Sequence, residues 1–238
     1  MIKRVSSMAT ITLALISGGL AIQAREAIAC SLVGHSDFVQ IEENVYVTPD
    51  TGQEYRKQLL SLIEEAKSRV VSTYGHLESS PVIIASMGMD SLRWFSSNEY
   101  ATTHFLPGRS FIVIGPKGHN TDVISHELVH SGIFEQVGHW PRILYIPVWF
   151  EEGVAMQVDY REQYDLFVQK EHSTDLEGLH YGWQFFRGEL TNHYAVAKAE
   201  VKRWLSKAGD GSVQSLLKQV KSGADFDETY RKMRDNEG

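Results

Sequence analysis

His126 and His130 stand four residues apart in the run His126-Glu127-Leu128-Val129-His130. The apolar spacing of Thr121 to Gln136 predicts a helix, on which both imidazoles share one face and can offer two nitrogens to a single metal ion, as zinc requires. Glu127 lies about 100° round that helix from His126, a direction that aims it at a metal-activated water rather than at the metal. Two ligands and a general base are the elements of metal-assisted hydrolysis. In a chain with 10 histidines this spacing arises by chance with a probability of roughly 3%, so its surroundings must decide. Val123, Ile124, Leu128, Ile133 and Phe134 flank it. They predict a helix buried on much of its circumference, and buried His and Glu need partners of the kind a metal supplies.

A catalytic zinc takes a third protein ligand and keeps one position open. The extended metzincin pattern would need Gly at 133 and His at 136, where this chain has Ile133 and Gln136, so that class is excluded. Downstream comes Pro147-Val148-Trp149-Phe150-Glu151-Glu152-Gly153-Val154-Ala155. The pairing of HExxH with a second helix carrying W-[FL]-x-E-G resembles the gluzincin metallopeptidases. In particular it resembles the small peptidase-MA-like domains and the catalytic domain of the aminopeptidase family with this signature. The resemblance runs over about residues 105 to 233. It implies one Zn²⁺ per chain with Glu152, the residue before Gly153, as third ligand, and Glu151 pointing elsewhere. His139, which follows Gly138 on an expected loop close to the helix end, is a rival third ligand. The resemblance further implies that Phe111 to Ile114 is the sheet-edge strand along which an extended peptide adds. In the same way Tyr194, within His193-Tyr194-Ala195-Val196-Ala197-Lys198, becomes the oxyanion donor, the alternative being a core tyrosine at a helix start. Tyr181, Tyr160 and His180 are lesser candidates for that role. The run from Leu216-Leu217 to Phe226 resembles the packing tail of these domains. The G-x-M-E-N exopeptidase motif is missing, since Gly115-Pro116-Lys117-Gly118-His119-Asn120 stands in its place, which leans the reading toward an endopeptidase.

The elements that must position these residues are also legible. Phe38 to Ile41 and Val45 to Thr48 read as strands about a polar turn, and Pro81 to Ala85 and Ser110 to Ile114 as short buried strands. Thr51 and Glu54 have capping-box spacing ahead of a long amphipathic helix ending at Gly75. After residue 116 nothing reads as a strand, and Thr121 to Gln136, Val148 to Tyr160, Tyr194 to Lys207, Ser212 to Val220 and Phe226 to Met233 favour helix. The expected fold class is α+β: a small N-terminal mixed sheet with helices, the motif helix, and an all-helical C-terminal half.

At 238 residues, with 42% hydrophobic and 22% charged side chains, the chain has the makings of one globular domain and a short appendage. A net charge of −7 argues against a nucleic-acid binder or a basic membrane-surface protein. Lys3 and Arg4 followed by the apolar run Met8 to Ile22 and small-residue sites at Ala24 and Ala29 have the order of a secretory signal peptide, too short to span a bilayer. Residues 1–29 are therefore expected to be a leader and 30–238 the domain, exported to the periplasm or secreted. Cys30, the only cysteine, excludes an internal disulfide and, in Ala27-Ile28-Ala29-Cys30, offers a lipid-anchor alternative. Together these features predict an exported zinc peptidase acting on a peptide or protein substrate. A zinc hydrolase of a non-peptide amide or ester, and a silent zincin-fold binding module, are the alternatives.

Overall fold

The computed structural model describes residues 22–77, 79–165 and 176–235. A helix over 22–31, α1, leads into strands β1 (Val39–Glu42) and β2 (Val45–Val47), then α2 (Gln53–Tyr74), β3 (Val82–Ala85), α3 (Met89–Leu92), β4 (Ala101–Leu106) and β5 (Arg109–Ile114). The sheet order is β1-β2-β3-β5-β4, with β2, β3 and β5 parallel and antiparallel strands at both edges. Beyond it come α4 (Thr121–Val137), α5 (His139–Tyr145), α6 (Val148–Ala155), α7 (Gly182–Phe185), α8 (Leu190–Ala208), α9 (Ser212–Lys221) and α10 (Phe226–Arg234). The fold is α+β, as the pattern predicts.

Strand alternation divides the core in two. Ile83, Ala85, Ile112 and Ile114 face the larger cluster, where they meet Leu59 and Ile63 of α2 and Ile124, Leu128 and Val129 of α4. Val82, Ile84, Phe111 and Val113 point the other way, onto Cys30, Val33, Leu92 and Phe95. Successive side chains of a strand leave opposite faces, so the all-apolar runs of β3 and β5 are what a sheet covered on both sides demands. Cys30 is fully buried there, and its thiol points at the Phe95 carbonyl at 3.9 Å. Among the described residues no helix is long and apolar enough to cross a membrane.

Four local expectations are corrected. The strand ending at Ile114 is not an edge, because β4 lies outside it, pairing from Ala101↔Ile114 to Leu106↔Arg109. Thr51 does not cap α2; its hydroxyl pairs with Thr48 at 2.9 Å, and Gly52 is the N-cap. The helix expected to reach Tyr160 stops at Ala155. Past it the amides of Gln157, Val158 and Asp159 bond three residues back, and the Val158 and Asp159 carbonyls accept from Arg69 and Lys198. Tertiary donors there replace the helical ladder. Residues 139–145 form α5 where a loop was expected.

Candidate metal centre

Helix α4 opens on Asn120, whose side chain accepts from the Val123 amide at 3.0 Å. Every residue from Val123 to Phe134 is buried. A helix covered all round needs close neighbours, and Gly132 permits one, since a Cβ there would lie 2.6 Å from the Leu77 carbonyl oxygen. Helix α6 starts at Pro147, whose carbonyl accepts from the Phe150 and Glu151 amides. It meets α8 at Gly153, where a Cβ would come within 2.5 Å of both Ala197 O and Val201 Cγ2. The small residue after Glu152 thus lets α8 approach, and Tyr194 with it.

These helices bring His126, His130 and Glu152 together. The two Nε2 atoms are 3.1 Å apart, and Glu152 Oε2 lies 3.2 Å from His126 Nε2 and 3.5 Å from His130 Nε2. All three residues are buried, their ligand atoms form one group that could hold a metal ion, and Glu152 Oε2 has no hydrogen-bond donor among the described residues. The fit to an ion follows from those edges. A tetrahedron with bonds of about 2.0–2.1 Å has edges of about 3.3–3.4 Å, the spacing found here. Two nitrogen donors and one carboxylate form the ligand set that zinc accepts.

Behind each imidazole stands a carboxylate. Glu151, one residue from Glu152 and so about 100° round α6, turns its Oε1 to His130 Nδ1 at 2.7 Å. Arg142 of α5 donates to the same oxygen from Nε at 2.8 Å and Nη2 at 2.7 Å. Asp159, fully buried, has Oδ2 3.7 Å from His126 Nδ1, and Arg161 holds it through a bidentate pair. Burial alone would lower the His130 pKa, but the Glu152 and Glu151 carboxylates outweigh it and hold His130 well above the usual imidazole value. Burial likewise works to raise Glu152 and Glu151, and is overcome for Glu152 by the two imidazoles and for Glu151 by Arg142 and His130, so both lie below the ordinary carboxylate range. A carboxylate hydrogen-bonded to the far nitrogen, as Glu151 is to His130, fixes the ring and tautomer of an imidazole.

Glu127 stays out of the ligand group. Thr103 of β4 pairs with Ile112, so its side chain leaves the sheet on the α4 face, and its hydroxyl donates to Glu127 Oε2 at 2.6 Å. Tyr194 stands edge-on to His126 with ring centres 6.1 Å apart, packed against Tyr164 and Phe185. Burial first, then the Glu152 and Glu127 carboxylates, raise its hydroxyl far above the ordinary tyrosine value, so it remains a proton donor. The other candidates lie elsewhere. His139 opens α5 with its ring against Phe134 and Trp140. Tyr160 lies under Arg69, and Tyr181 is exposed and stacked on Trp183. His180 uses its carbonyl to accept from the Val148 amide. Sequence reading missed Asp159, Arg142, Arg161 and Thr103, since nothing in their spacing from the motif marks them. No protein-family model matches the chain, and neither a curated protein nor a solved structure matches it.

Proposed function

We propose that the protein is an exported zinc-dependent peptidase, with His126, His130 and Glu152 as ligands and Glu127 as general base. The observation that carries this reading is the separation of roles between neighbours. His126 joins the ligand group, whereas Glu127 is kept out of it and oriented by Thr103 through one oxygen. Zinc bound there would polarise a scissile carbonyl and activate a water. Glu127 would take a proton from the attacking water on the oxygen that Thr103 does not engage and pass it to the departing amine. Tyr194 donates its hydroxyl hydrogen to the oxyanion, and its raised pKa keeps that proton available at neutral pH.

The sheet supports a peptide rather than another amide. β4 is an edge strand beside Glu127, so an extended peptide added along β4, rather than along β5, would run past the base and the ligands. Among cleavage positions for the leader, the one after Ala24 keeps Glu26, Ala27 and Cys30, all buried, within the domain. A thiol so enclosed also favours an unlipidated chain.

The test is digestion of casein and of a peptide library by purified protein, with and without a zinc chelator, beside Glu127→Gln. The variant should keep its zinc and lose roughly 10²–10⁴ in turnover. Cleavage by Glu127→Gln at the wild-type rate, or by chelated protein, overturns the reading.

A further inference from the structure

Arg142 belongs to no motif and sits on α5, a helix with no buried residue. Its side chain nevertheless reaches inward. The guanidinium lies over the Phe105 ring of β4, 3.9 Å from its centre, and presents Nε and Nη2 to Glu151 Oε1. That same oxygen accepts from His130 Nδ1. Three donors therefore converge on one oxygen of a carboxyl that is 4% exposed. The planar fork of an arginine fixes where a carboxylate oxygen lies as an ammonium cannot. With Nδ1–H committed to Glu151, the lone pair of a neutral His130 is on Nε2, the atom facing His126 and Glu152. The other histidine lacks this arrangement, because Asp159 stops 3.7 Å from His126 Nδ1, an atom with no hydrogen-bond partner among the described residues.

We infer that Arg142 is a positioning residue for the metal centre: acting through Glu151, it holds His130 with Nδ1 toward the carboxylate and Nε2 toward the ion. The inference rests on the metal-site reading above and adds to it a residue from outside both motif helices. It also makes α5 part of the site although the helix supplies no ligand. The Phe105 contact gives Arg142 a second anchor that does not depend on Glu151, so the guanidinium stays docked when Glu151 is altered.

The test measures zinc affinity by competition with a chromophoric chelator, beside imidazole-tuned NMR spectra of the His130 Nδ1–H signal. Arg142→Gln should weaken zinc binding roughly 10–100-fold and shift or broaden that signal. Glu151→Gln should weaken it as well, and the double variant should bind no more weakly than Glu151→Gln alone, because the two residues act in series. Arg142→Lys, which keeps the charge but not the fork, should fall between Arg142→Gln and wild type. Leu144→Ala, on the exposed side of α5, should leave affinity unchanged. Should Arg142→Gln not fold, Arg142→Lys decides alone, and wild-type affinity with an unmoved signal in it overturns the inference. So does Arg142→Gln within twofold of wild type, or additivity in the double variant. A wild-type chain that takes up no zinc brings down the metal reading itself, whereas zinc held by wild type and unaffected variants bring down only the role of Arg142.

Discussion

The two faces of the sheet bury the same residue types to different effect. His126, His130 and Glu152 lie on the α4 side, and His104 and Glu26 lie on the α1 side, all at most 7% exposed. On the first side the ligand atoms close to within 3.5 Å of one another. On the second, His104 Nε2 stops 3.9 Å from Glu26 Oε2 and has no hydrogen-bond partner among the described residues. Carboxylates and arginines back the first group, while the second has the Cys30 thiol, which burial pushes up to about 12. Burial of His beside Glu is therefore not what marks a site. The mark is convergence of lone pairs on one point, with a charge behind the imidazole that needs orienting.

Glu152→Ala should break the comparison most severely. On the proposed reading it removes one of three zinc ligands, so metal analysis should find most zinc gone from about one per chain and turnover abolished. Glu26→Gln on the other face should keep full zinc. Zinc retained in Glu152→Ala but lost in His139→Ala would mean that the third ligand is misassigned.

Tyr194→Phe sharpens the contrast at a smaller scale, because it deletes one hydroxyl and leaves the ring that packs on Tyr164 and Phe185. We expect kcat to fall by roughly 10²–10³, with zinc content and Tm unmoved. A lower Tm with kcat within a few fold would make Tyr194 a core residue on the same footing as His104.

The smallest effect belongs to the α1 face and concerns stability alone. Burial lowers the His104 pKa from its ordinary value to about 4. The folded chain thus prefers neutral His104, a preference present in full above about pH 6.5 and lost as pH falls toward 4. Between pH 7.5 and 5 this amounts to about 2 kcal/mol of lost stability. Glu26, raised by burial, works in the opposite sense, since a folded chain that prefers the protonated acid gains as pH falls through its raised pKa. Urea denaturation of wild type and His104→Gln at the two pH values isolates the histidine, and equal pH dependence in both would refute its contribution.

How much of this was legible depended on whether a residue's role is local. The motif spacing places His126, Glu127 and His130 because helical periodicity alone sets their directions. Glu152 came through the likeness of its helix to a known pattern. β4 escaped because Ala101 to Leu106 buries positions 101 and 104 rather than alternate ones, leaving no period of two to read. Pro141 and the exposed Trp140, Ile143 and Leu144 disguise α5, since apolar residues facing water carry no signal of the face that docks. Thr103, Arg142 and Asp159 act across elements, and such contacts exist only after β4 pairs with β5 and α6 ends early.

The unbroken burial of α4 from Val123 to Phe134 has an entropic consequence. In a small zinc module the ion must order the chain as it binds, and its free energy becomes folding free energy. Here the three side chains already occupy one point in a packed interior fixed by Gly132 and Gly153, so their rotamer freedom is lost during folding rather than on binding. Uptake of an ion at this cluster would then resemble entry of a ligand into a preformed socket, with affinity set by donor chemistry and little drawn off to order the protein around it.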